Sequence, residues 1–208
     1  MVSRRAEPTR LAIALVGAVV CVDLLWHFVE GSTGAIAYGI VDEPAHLATC
    51  LVALLAVVAI SGRRPPLPFV VAALVASVAI DIDHLPGYLG WNGLTGTLPR
   101  PYSHSLFVIL ALVGFGRVAS GTWRQVSYGL AFGVAAHLFR DLATGPGVPF
   151  FWPLTDTTMT LPYAACAAIL ALAALAAPAR RVLDRRRAAL SRPVRVRPVP
   201  SAYPPSGS

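Results

Sequence analysis

The chain has no lysine, few acidic residues and only 13% charged residues across its 208 positions. So few charges cannot clothe a soluble surface. With 56% hydrophobic residues and a mean hydropathy of +0.65, the composition excludes an ordinary soluble domain and points to a membrane protein. Cysteine is equally scarce. Cys21, Cys50 and Cys166 fall in apolar runs with no CxxC pair, so no disulfide framework is expected and all three read as small buried hydrophobes. No Gly-rich elbow surrounds Ser105, which weighs against a serine nucleophile, and no internal repeat supports a transporter architecture. The net charge of +7 comes from Arg in short segments beside apolar runs, so no specific nucleic-acid binding is expected.

Six apolar segments stand near 11–29, 44–62, 66–83, 103–120, 125–143 and 159–178. Each is long enough, or nearly so, to cross roughly 30 Å of hydrocarbon, which takes about 20 helical residues. The expected fold is all-α, a polytopic integral membrane helical bundle of about six transmembrane helices. It divides into a basic arm at 1–10, a membrane-embedded domain at 11–178 and an Arg/Pro-rich, largely disordered tail at 179–208. The shorter segments, taken singly, would also suit buried helices of a soluble protein. The N-terminal run resembles a signal peptide, but Asp23 and His27 interrupt its end and no clean cleavage site follows, so it is read as the first helix.

Arginine sets the orientation. Arg4, Arg5, Arg10, Arg63, Arg64, Arg117, Arg124 and the tail cluster from Arg180 to Arg197 fall on one side if every segment spans, leaving only Arg100 and Arg140 opposite. The positive-inside rule places both termini in the cytoplasm. The same topology carries His27, His46, His84, His104 and His137, with Asp81, Asp83 and Asp141, toward the exoplasmic face. Ionisable groups at membrane depth are costly unless they pair, bind a metal or line a polar cavity.

Their spacing suggests a metal. His137 and Asp141 are four apart on a predicted helix and Asp81 and His84 are three apart, so each pair shares a helix face. Asp83 stands beside the second pair, and His46 and His104 enter from the starts of two further segments. Imidazole and carboxylate ligands suit zinc, or else manganese or iron, as one or two ions. The lack of thiolates argues against a purely structural zinc site. A neighbouring carboxylate, Asp83, is the candidate general base, and Arg100 and Arg140 are candidates to hold an anionic substrate. Plainer roles compete. Ser103 and Ser105 suit hydroxyl caps around His104, Asp42 and Glu43 suit a helix N-terminus ahead of Pro44, and Asp23 and His27 suit a helix-packing pair or an outer layer of the site. The Gly-, Pro- and aromatic-rich connections 85–101 and 145–161 suit an interfacial rim or lid.

Asp81-Ile82-Asp83-His84, Arg100-Pro101-Tyr102-Ser103-His104-Ser105, His137-Leu138-Phe139-Arg140-Asp141-Leu142-Ala143-Thr144, then Gly147-Val148-Pro149 and Trp152-Pro153, follow in the order of the motifs of a known family. Over roughly 44–155, with His46 as the first histidine, the chain resembles the YdjM-like inner-membrane proteins. That family is regarded as metal-dependent hydrolases distantly similar to zinc-dependent phospholipase C. Ser103 stands where the family often has Thr. The resemblance implies a helical membrane protein with a hydrolytic metal site of His46, Asp81, Asp83, His84, His104, His137 and Asp141. The expected substrate is a phosphoester at the bilayer surface, such as a lipid head group. A cation- or proton-coupled transporter, or a scaffold with a structural metal, is the alternative.

Overall fold

The computed structural model describes residues 7–29, 35–94, 96 and 98–190, with side chains for all but 7, 26–29, 35–40, 88, 177, 181 and 185–190. The imidazole of His27, the arm before residue 7 and the tail from Pro193 therefore lie outside the described residues. Among the described residues seven α-helices follow one another: α1 Glu7–Val29, α2 Ala35–Ser61, α3 Leu67–Ala79, the short α4 Leu85–Tyr88, α5 Leu106–Val118, α6 Gly121–Asp141 and α7 Tyr163–Leu190. A 3₁₀ turn, Ile80–His84, joins α3 to α4. Among the described residues the only β-type pairing is an isolated bridge between Val148 and Met159.

Among the described residues three helical stretches are long and apolar enough to cross a membrane: Pro8–Leu25, Val41–Ser61 and Leu67–Gly87. A fourth is added if Tyr163–Ala176 and Pro178–Asp184, bent by 45° at their junction, count as one. The bend falls beside Pro178, which removes a backbone donor and crowds the preceding turn. The fourth and fifth of the expected six segments behave differently. α5 has 13 residues, about 20 Å of helix. α6 has 21 but carries Arg124, Gln125, Ser127, His137, Arg140 and Asp141, and ten of its residues are buried in the protein.

Segment boundaries also shift. The second helix begins at Ala35 and Pro44 lies inside it, so Asp42 and Glu43 do not cap its N-terminus and His46 is well inside the helix. The chain stops being α-helical at Ala79, and Asp81-Ile82-Asp83-His84 form the 3₁₀ turn instead of the end of a long helix. Of the cysteines, Cys50 and Cys166 are buried but Cys21 is exposed, and all three are free thiols.

Between apolar helices in lipid there is little hydrophobic drive, so close approach of small side chains does much of the work. The α3–α6 seam shows it. A Cβ on Gly133 would stand 2.1 Å from the Ala73 carbonyl oxygen, and one on Gly129 would stand 2.3 Å from that of Phe69. The opposing surface is Ala72, Ala73 and Ala76, all buried. Above the seam Ala76, Val134, Leu138 and Val148 form one core cluster. A second, of Val19, Ala45, Ala48, Val52, Cys166 and Leu170, ties α1, α2 and α7 together.

Candidate metal centre

The α3–α6 seam carries His137 up against the last turn of α3. Its Nδ1 lies 3.0 Å from the Ser77 carbonyl oxygen, which accepts only, so Nδ1 bears the proton and donates. The remaining nitrogen, Nε2, then faces two anions: Asp141 Oδ2 at 3.0 Å and Asp81 Oδ1 at 3.2 Å. His137 and Asp141 sit one turn apart near the C-terminus of α6 and are fully buried. Close as they are, His137 Nε2 and both Asp141 oxygens make no well-formed hydrogen bond.

The 3₁₀ turn supplies the opposite wall. With three residues per turn, positions i and i+3 eclipse, so Asp81 and His84 stack and their Oδ1 and Nε2 are 3.5 Å apart. His104, just before α5, brings its Nε2 to 3.0 Å from the same Asp81 oxygen and 3.6 Å from Asp141 Oδ2. Neither neighbouring serine caps α5. Ser103 Oγ donates to Asp83 Oδ2, and Ser105 Oγ is buried with no hydrogen bond. Asp83 Oδ1 is left buried and without a hydrogen bond.

From α2, His46 stacks face to face on His137, with ring centroids 3.7 Å apart. Its Nε2 lies 3.2 Å from Asp42 Oδ2 and 3.5 Å from Asp141 Oδ1, and its Nδ1 has no hydrogen bond. Potential ligand atoms gather into three groups, each within 4.8 Å: Asp81, Asp83, His84 and His104; His46, His137 and Asp141; and Asp42, His46 and Asp81. Asp81 and His46 are shared, so the groups form one continuous cluster.

The structure thus brings all seven expected ligands together, but accessibility is uneven. The side chains of His46, His104, His137 and Asp141 are sealed, whereas those of Asp81, Asp83 and His84 keep 18–20% of their surface exposed. Arg100 Nη1 is 2.8 Å from Asp141 Oδ2, its Nη2 donates to the Thr144 carbonyl at 3.4 Å, and its Nε has no hydrogen bond. The loops bearing Arg100 and Thr144 are further joined by the stacked rings of Tyr102 and Trp152, 4.5 Å between centroids.

Arg140 is placed otherwise than its expected contact with substrate requires. It is 2% exposed, and its Nη2 lies 2.5 Å from Asp23 Oδ1 and 2.7 Å from Asp42 Oδ1. Asp42 is the residue the sequence reading missed. A carboxylate before a proline looks like a helix start, and only its spacing of four from His46 hinted at this role. Glu43, one position on, is half-buried, and its Oε2 has no hydrogen bond.

Histidine and carboxylate atoms that are buried, convergent and short of partners are what a divalent cation needs, and a His137 whose other nitrogen is anchored on a carbonyl is typical of a ligand histidine. Fold and site together define a helical membrane protein with a buried His/Asp cluster able to hold a metal. The model of the YdjM inner membrane protein family matches residues 41–195, most of the chain, and the protein belongs to that family. No curated protein and no solved structure gives a significant match.

Proposed function

We propose that the protein is a multi-pass inner-membrane, metal-dependent hydrolase that cleaves phosphoesters at the exoplasmic surface of the bilayer. Six membrane passes with cytoplasmic termini follow if α5 and α6 cross as an embedded hairpin, their polar groups facing protein and not lipid. The observation that carries the proposal is His137. Its Nδ1 is spent on the Ser77 carbonyl while its Nε2 stands between two carboxylates, an arrangement that favours a cation among them.

His46, Asp81, Asp83, His84, His104, His137 and Asp141 would hold one or two ions, zinc by preference and manganese or iron as substitutes. When bound, a divalent ion supplies polarisation of a phosphoryl oxygen and a more acidic attacking water. The protein's own groups do the rest. Asp83 takes the proton at Oδ1, with Ser103 holding its other oxygen. Arg100, held 2.8 Å from Asp141 Oδ2, binds a phosphoryl oxygen. Substrate arrives from the partly open side of Asp81, Asp83 and His84. Arg140, paired to Asp23 and Asp42, serves as an internal counter-ion.

A cation-coupled transporter is the second reading, and the position of His46 inside α2 favours it. One experiment addresses both. The protein is purified in detergent, its metal content is measured, and phosphodiester and phosphomonoester turnover is assayed with and without chelator. Bound metal and chelator-sensitive turnover, both lost in His137→Ala, are expected. Bound metal without turnover on either substrate class would move the reading to transport or scaffolding. Absence of metal from the wild type would refute it.

A further inference from the structure

Helix α1 lies before the segment that matches the family, yet it reaches the cluster. We infer that Asp23 of α1 is a positioning residue for the metal centre, acting through Arg140 and Asp42 on His46; this rests on the metal-centre reading above.

The path is continuous, and from Asp23 to His46 its side chains are buried. Tyr163, near the start of α7, donates its hydroxyl to Asp23 Oδ2 at 3.0 Å. Asp23 Oδ1 and Asp42 Oδ1 share the Arg140 Nη2, at 2.5 and 2.7 Å, and the three side chains are between 2% and 9% exposed. Asp42 Oδ2 is then left to face His46 Nε2 at 3.2 Å. Each carboxylate thus has its two oxygens assigned to different partners, which fixes its rotation. Arg140 is also fixed in sequence, directly before Asp141 and three residues after His137, so pulling its guanidinium toward α1 steadies the turn of α6 that bears both.

Charge works in the same direction. Two carboxylates about one guanidinium leave the trio with a net negative charge beside a site for a cation. Without Asp23, the guanidinium answers to Asp42 alone, and Asp42 presents less negative charge to His46. Geometry and field both predict weaker metal binding. An ion pair that merely joined helices would lower stability and leave affinity alone.

The test uses the full chain in detergent micelles, with Zn²⁺ affinity measured by competition against a chromophoric chelator. Asp23→Asn is expected to raise the Zn²⁺ Kd by about 10- to 100-fold, the usual effect of losing a partner behind a metal ligand. Asp23→Glu should recover most of the loss, and Tyr163→Phe should give a smaller increase. If the wild type binds Zn²⁺ and folded Asp23→Asn binds equally well, the inference is overturned while the metal centre stands. If Asp23→Asn does not fold, Tyr163→Phe decides, and an unchanged Kd overturns the inference. A wild type that binds no Zn²⁺ removes both.

Discussion

Replacing Gly133 with alanine perturbs the metal centre without touching any polar group in it. The added Cβ would stand 2.1 Å from the Ala73 carbonyl oxygen and 2.9 Å from the Ala76 Cβ, where real Cβ contacts begin at about 3.0 Å and relax near 3.4 Å. The obstacle is helix backbone, which cannot swing aside, so α3 and α6 must part by about 1 Å. One turn along the same seam, Ser77 and His137 are joined at 3.0 Å. A parting of that size carries them beyond the range of a useful hydrogen bond and withdraws Asp81 from His137. Overpacking of this kind costs about 1–3 kcal/mol, or a melting temperature lower by about 2–12 °C in a chain of this length. The His137 anchor is lost as well, so the Zn²⁺ Kd should rise by about tenfold or more. Thermal melts and chelator competition in detergent measure both. Gly114→Ala is the control, since a Cβ there meets nothing within 4 Å. A Gly133→Ala protein with wild-type melting and wild-type Zn²⁺ affinity would refute the claim that the seam aligns the site.

Other changes separate the roles proposed within the cluster. Ser103→Ala removes the donor to Asp83 Oδ2 and should lower kcat by about tenfold with metal content unchanged; unaltered turnover would show that Ser103 does not position Asp83 for proton transfer. Arg100→Gln should raise KM by about tenfold, the scale of one charge-assisted hydrogen bond, and metal analysis would show the ion retained. Reporter fusions after Arg64 and after Leu94 flank the membrane-length stretch Leu67–Gly87 and should report cytoplasmic and exoplasmic locations respectively. A cytoplasmic signal at Leu94 would invert the placement of the site.

How far the sequence could be read depended on the range of the signal. Spacings of three and four within one turn were legible, which is why Asp81 with His84 and His137 with Asp141 could be paired before their surroundings were known. Arginine placement gathered His46 and His104 toward the same end of the chain's helices. Partnerships that join distant segments leave no such local trace. Arg140 carries the same formal charge as Arg100 and seemed equally free, but contacts with α1 and α2 bury it between Asp23 and Asp42. The Asp42-Glu43-Pro44 run imitates a helix start because proline suits a first turn; packing of α2 against α1 and α7 carries the helix through it. The Gly129 and Gly133 pair, spaced by four, is a local sign of close helix contact, masked by the many other small residues of the chain. Helix count was the least legible feature, because α6 is apolar only in part and hides its polar groups against neighbours, which a linear pattern cannot reveal.

One oxygen of Asp81 has a further consequence. Imidazole Nε2 atoms from His104, His137 and His84 approach its Oδ1 at 3.0, 3.2 and 3.5 Å. An imidazole nitrogen turns to a carboxylate oxygen by presenting a proton, and a metal ion competes for the lone pair that holds it. Ion uptake should therefore be an exchange in which protons leave as the metal enters. Loading the protein in a weakly buffered medium should acidify it, and the heat of loading should differ between buffers according to their own enthalpies of ionisation.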